Sequence, residues 1–172
     1  MATKTAKQKK PPSGISGEFV EFLKGLKAGD SLGSLSALRR YRKGYIFEIA
    51  PVLSRFYKMP VSQEKAMLFA SVAKMFAIWP KASNGRLGSS LHPLLAKFSY
   101  PAMSRRFRAF LASRNVTAAI QHAESLVRLA SSKKIPVGYA DLLYGLLNWD
   151  HQDRWVQNRF SSDFWTVTEE DK

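Results

Sequence analysis

Cysteine is absent from the 172 residues. That excludes disulfide frameworks, thiolate metal sites and cysteine nucleophiles. Long apolar runs are missing as well: the stretch from Ala66 to Ala73 reaches Lys74 far short of the roughly 20 residues that cross a bilayer, so no transmembrane helix is expected. The lysines Lys4, Lys7, Lys9 and Lys10 are followed by Pro11, Pro12, Ser13 and Gly14, where a secretion signal would place its apolar core. A cytoplasmic chain is therefore expected, and the glycosylation sequon Asn115-Val116-Thr117 reads as a chance match.

Catalytic constellations are equally scarce. His92, His122 and His151 stand apart from one another, in no zinc-ligand spacing and beside no nucleophile, so each is read as structural. Asp150 and Asp153 lie three apart but lack a third carboxylate, and helix capping accounts for them better than a metal pair. No catalytic residue, metal or cofactor is expected, and the chain is not expected to be an enzyme.

What the chain has in excess is positive charge. Its formal net charge is +14 and its pI about 10.2, a balance that points to a polyanionic partner. The excess is unevenly placed. Between Ile49 and Ala123 the only acid is Glu64, against eleven lysines and arginines, while Glu124, Asp141, Asp150, Asp153, Asp163 and the stretch Glu169 to Asp171 gather in the C-terminal third.

Apolar spacing is helical throughout, and no window alternates with period two between hairpin turns, so an all-α fold is expected. Residues 1–15 are too poor in apolar side chains to order and read as a basic disordered arm. Ser16 caps a first helix with Phe19, Phe22, Leu23 and Leu26 on one face, ended by Gly29. Asp30 or Ser31 opens a second, with Leu32, Leu35 and Leu38 inward and Arg39, Arg40, Arg42 and Lys43 at its cationic end. Residues 45–57 form a third, in which Pro51 marks a kink or a fresh start. After the Met59-Pro60 break, Ser62 caps a helix from Gln63 to Trp79 that buries Met67, Leu68, Val72, Met75 and Phe76 and stops at Pro80. Helices follow at 90–98, from Tyr100-Pro101 through Leu111, and at 116–132, 138–148 and 152–166. About eight or nine helices in two small bundles, 16–98 and 99–172, result.

Arg105, Arg106 and Arg108 draw attention because Phe107 and Phe110 anchor the same helix and so fix where the guanidinium groups point. Pairing with Glu124 or Asp141 is the competing reading for any one of them. Gly85-Arg86-Leu87-Gly88 has the form of a phosphate-clamping GxxG turn, making Arg86 a candidate contact, although a plain surface loop explains it as well. Trp79, Trp149, Trp155 and Trp165 are read as core rather than as base-stacking groups.

Several strings in register carry a family resemblance. They run Leu35-Ser36-Ala37-Leu38-Arg39-Arg40, Phe76-Ala77-Ile78-Trp79-Pro80, Arg86-Leu87-Gly88, the segment Arg105 to Ser113, and Leu126-Val127-Arg128-Leu129. Beyond them come Ile135-Pro136-Val137, Leu142-Leu143, Asn148-Trp149-Asp150 and Val156-Gln157. Together these resemble the CasB family, the small subunit of the type I-E CRISPR Cascade complex, over residues 17–166. The resemblance implies a non-catalytic helical subunit present in two copies, stacked head to tail. It would contact the large subunit, the backbone subunits along the crRNA, the crRNA itself and target DNA, and stabilise the R-loop. It assigns backbone binding to Arg39, Arg40, Arg105, Arg106, Arg108, Arg114 and Arg128. The long lysine-rich arm and Pro51 depart from the pattern.

A free-standing DNA-binding protein such as a transcription factor is the alternative. It would need polar base-reading groups at the start of a recognition helix, which neither Ala102-Met103-Ser104 nor Asn115-Val116-Thr117 supplies. A membrane-surface role is less suited, because the amphipathic faces look like core.

Overall fold

The computed structural model describes residues 14–29, 32–57 and 61–166. Regular structure among them is helical: α1 (Ile15–Ala28), α2 (Leu32–Arg39), a 3-10 turn (Ile46–Glu48), α3 (Ala50–Leu53), α4 (Gln63–Ile78), α5 (Leu87–Leu91), α6 (Leu94–Lys97), α7 (Tyr100–Leu111), α8 (Val116–Ser132), α9 (Tyr139–Leu147) and α10 (Trp155–Trp165). Extended backbone pairs once among the described residues, in an isolated parallel bridge between Ala82 and Val137. The fold is all-α, as the apolar spacing indicates.

Local chemistry sets the best-defined helix starts. The hydroxyl of Ser62 accepts from the amide of Lys65, that of Ser99 from Ala102, and Oδ1 of Asn115 from Ala118 at 2.9 Å. Each satisfies a donor that the first helical turn leaves free. Asn115, the head of the sequon, is thus a helix cap. Pro101 sits in the first turn of α7, where its missing N–H costs nothing.

Helix α4 is the centre of the molecule, packed by α2, α8 and α9. Leu68, Val72, Met75 and Phe76 are buried as expected, but Met67 stays half-buried, and Phe69, Ala70, Ala73 and Ala77 complete a core surface on further sides. Alanines let neighbouring helices approach closely, and a helix apolar nearly all round is one that others enclose. Phe19 of α1 meets Phe69 edge-on at 4.8 Å and Phe56 at 5.0 Å. Phe19 and Phe69 are fully buried, and each contributes on the order of 1.5–3 kcal/mol.

The phenol of Tyr139 donates to the carbonyls of Trp79 at 2.6 Å and Met75 at 3.2 Å, closing the end of α4. Burial raises its pKa, so the group stays a donor. Helix pairs α1 with α9, α4 with α9 and α5 with α10 cross the 98/99 position expected between two bundles, and the buried side chains form one contiguous core.

Several boundaries differ from expectation. Helix α1 begins at Ile15 with Gly14 before it at φ 123, so Ser16 is not the cap; it lies within the helix, buried, its hydroxyl without a partner. The segment 45–57 is a 3-10 turn followed by α3, in whose first turn Pro51 sits as a fresh start. The expected helix 90–98 is two, α5 beginning earlier at Leu87 and α6 following Pro93, which has no N–H to continue the ladder. Helix α10 starts at Trp155 rather than 152 because Arg154 adopts the left-handed conformation, φ 49. Asp150 and Asp153 consequently do not cap it. Both are exposed, and Asp153 lies 3.9 Å from His151. The arm up to residue 13, the Asp30 and Ser31 caps and Met59-Pro60 lie outside the described residues.

Candidate nucleic-acid interface

Helix α7 is fixed by one face. Met103, Phe107 and Phe110 are buried, with Phe107 stacked on Phe164 at 3.7 Å and Phe110 lying 5.0 Å from Trp149. The indole of Trp149 donates to the carbonyl of Ser113, and the guanidinium of Arg154 donates to Leu111 O at 2.8 Å, placing a cation at the negative end of the helix. With that face held, Arg105, Arg106 and Arg108 project into solvent, and Arg114 is exposed in the turn to α8. Among the described residues none of the four makes an ion pair. Arg108 lies 5.7 Å over the ring of Trp165. The result is a set of exposed guanidinium groups on an anchored helix and the turn after it, each able to grip phosphate through two parallel hydrogen bonds.

The other expected contacts are distributed differently. Arg39 and Arg40 end α2; both are exposed, and Arg39 Nε donates to Ala77 O at 3.1 Å, tying α2 to α4. Arg128, exposed on α8, bonds Glu124 at 2.8 Å, and Glu124 also meets Lys74 at 3.2 Å. Burial alone would raise the Glu124 carboxyl, but Arg128 and Lys74 outweigh it and hold its pKa below the ordinary value.

Arg86 is engaged inside the fold. Its guanidinium meets Asp163 at 3.2 Å, with the aspartate nearly buried. Two of the GxxG amides are likewise occupied: Gly85 N donates to Ser83 Oγ, and Leu87 N to Asp141 Oδ2 at 2.9 Å. Gly88 is glycine because α5 presses on α10, where a Cβ would stand 2.6 Å from the carbonyl of Phe160. Packing accounts for both glycine neighbourhoods, and the loop has the geometry of a structural turn.

Sequence reasoning missed the partner of Asp141. This fully buried carboxylate lies 2.7 Å from Arg159 of α10, whose guanidinium is set 5.2 Å from the ring centre of Phe160 and 5.8 Å from that of Trp155. Asp141 therefore pairs with none of the α7 arginines. An acid inside the apolar run Tyr139 to Leu147 was the available signal that a buried cation must face it. Of the tryptophans, Trp149 is buried in the core as read, whereas Trp79, which donates to Ile135 O at 2.7 Å, Trp155 and Trp165 are partly buried and pack against it. Among the described residues no three His, Asp or Glu converge as metal ligands, and no helix is long and apolar enough to cross a membrane.

The family model for CRISPR-associated protein Cse2 matches residues 34–165. No curated protein matches the chain in sequence. Among solved structures, CasB from Thermus thermophilus is 23% identical, with a TM-score of 0.76 over 89% of this chain and 99% of that one. CasB of M. ruber is 19% identical, TM-score 0.68, covering 86% and 92%. A chain of a CRISPR RNA-guided surveillance complex is 18% identical, TM-score 0.70, covering 87% and 89%. The family match spans most of the chain and the fold likeness nearly all of it: the protein belongs to the Cse2 family of CRISPR-associated proteins, the CasB family that its motifs resemble.

Proposed function

We propose that this protein is the non-catalytic small subunit of a type I-E Cascade complex, acting in the cytoplasm beside a second copy of itself, and that it holds nucleic-acid backbone to stabilise the R-loop. The observation that carries this reading is the set of exposed arginines on α7, in no ion pair among the described residues, on a helix fixed by Phe107 and Phe110. The likeness to a chain of an RNA-guided surveillance complex supports the assembly, with the large subunit, the crRNA-bound backbone subunits, crRNA and target DNA as partners. R-loop formation exchanges one duplex for another at nearly balanced free energy, so contacts to the displaced strand and to the crRNA–target duplex decide whether the product lasts. Phosphate contacts suffice for that and carry no base information. Arg114, in the turn that follows α7, adds to these groups, Arg40 offers a further exposed cation after α2, Arg39 and Arg128 share their groups with the fold, and Arg86 contributes through structure.

The test is a complex reconstituted with Arg105→Ala and Arg106→Ala together. Assembly should be unchanged and R-loop lifetime shortened. Unaltered lifetime would overturn the reading. A hundredfold preference of the isolated protein between two unrelated sequences at fixed salt would replace it with the transcription-factor alternative.

A further inference from the structure

The segment between α2 and α3 carries an exposure that packing does not explain. Phe47 keeps 69% of its surface in solvent, while Ile49 beside it is fully buried. Gly44, at φ 89, takes a backbone conformation that side chains disfavour, and turns the chain away from α2. The 3-10 turn then carries Tyr45 and Phe47 outward, their ring centres 5.8 Å apart. Arg42 lies 4.2 Å over the Tyr45 ring and 3.2 Å from Glu48. Arg40 and Arg42 line an adjoining surface depression of about 490 Å³, and Lys43 beside them is exposed.

Two properties meet here: an aromatic face open to water, and three cations of which Glu48 answers one. An apolar protein pocket would suit Phe47 but would strip water from Arg40 and Lys43, and lysine is depleted at the centres of protein interfaces. A duplex offers phosphates but hides the faces of its bases. Single-stranded DNA offers both together, an unstacked base for the ring and phosphates for the cations.

We propose that Phe47, flanked by Tyr45, is a stacking platform for an unpaired base of single-stranded DNA whose neighbouring phosphates are held by Arg40, Arg42 and Lys43. The inference rests on the reading that the protein holds a displaced strand, and adds to it a contact made by a base.

The experiment compares an oligothymidylate of roughly 12 nucleotides with the same strand made abasic at alternate positions, by fluorescence anisotropy at low salt. Both strands have the same phosphates, so the ratio of their affinities reads stacking alone. The unaltered protein should favour the intact strand about fivefold or more. Phe47→Ala should abolish that preference and leave the salt dependence unchanged, while Phe47→Trp should keep it. Replacing Arg40 and Lys43 by Ala should weaken both strands alike and make the salt dependence shallower. Exposure of Phe47 lets these variants fold, and a thermal melt checks it.

A preference that survives Phe47→Ala, or a Phe47→Leu variant that binds like Phe47→Trp, would overturn stacking while leaving backbone binding intact. Loss of affinity for the other Cascade subunits with an unchanged strand preference would overturn it in favour of protein docking. Failure of the unaltered protein to bind either strand would overturn both readings.

Discussion

On α7, Arg105 and Arg106 stand in solvent with no carboxylate beside them among the described residues, whereas Arg86 and Arg159 end against Asp163 and the fully buried Asp141. The same side chain thus stands open to a ligand in one region and serves cohesion in another. Neighbours decide which. On α7 the intervening aromatic residues hold the helix and leave the arginines outside. Around α5, α9 and α10, the arginines bind carboxylates that apolar packing has already enclosed, joining three segments distant in sequence. A count of basic residues does not separate the two classes; their placement relative to buried acids does.

The comparison breaks most severely at Asp141. Asp141→Ala strands the guanidinium of Arg159 and removes the acceptor for Leu87 N, so chemical denaturation should show a loss of about 3–5 kcal/mol. Retained stability would mean that the buried pair holds nothing together. Arg86→Ala leaves Asp163 without its partner and should cost roughly 1–3 kcal/mol. If Arg86 belongs to the cohesive class, the salt slope of nucleic-acid binding should not change in this variant; a shallower slope would move it into the recognition class.

Glu124 stands between the two classes, since it ties up Arg128 and Lys74 at a partly exposed site. Its depressed pKa means that its contribution is present above the ordinary carboxylate value of 4.5 and is lost as pH falls through the lower folded value. Glu124→Gln should therefore be less stable than the unaltered protein at neutral pH by under about 1 kcal/mol, and the gap should close in acid. A gap independent of pH would assign the effect to packing. At the open end, the double change Arg105→Ala and Arg106→Ala should alter stability by no more than about 0.5 kcal/mol. The slope of log affinity against log salt should nevertheless become shallower by about 0.7 for each single-strand phosphate that the variant no longer neutralises.

How much of this was legible in the sequence depended on how local the cause was. Ser62, Pro80 and Pro101 act within a turn of their own position, so α4 and α7 lie close to where capping and proline put them, and α8 where periodicity does, although its Asn115 cap was read only as a sequon. The exposure of the α7 arginines was legible for the same reason, because Phe107 and Phe110 anchor the helix that bears them. Causes outside the segment were not. Ser16 loses the cap to Gly14, whose φ of 123 suits glycine. Arg86 looked like part of a phosphate clamp because its partner is 77 residues away. Phe47 was absorbed into an expected helix at 45–57, and only the turn at Gly44 shows that its ring faces water.

The pairing of α1 with α9 has a consequence in time. The inner face of α1 has no α9 to pack against until residues 139–147 have left the ribosome. At usual synthesis rates that leaves α1 without this cover for on the order of ten seconds after it is made. Helix α5 likewise waits for α10. Folding is therefore expected to wait for α9 and α10, with α4 and its nearer neighbours as the part able to gather first. A ribosome stalled before α9 should display a nascent chain that a protease cuts readily within α1, and one stalled beyond α10 should not.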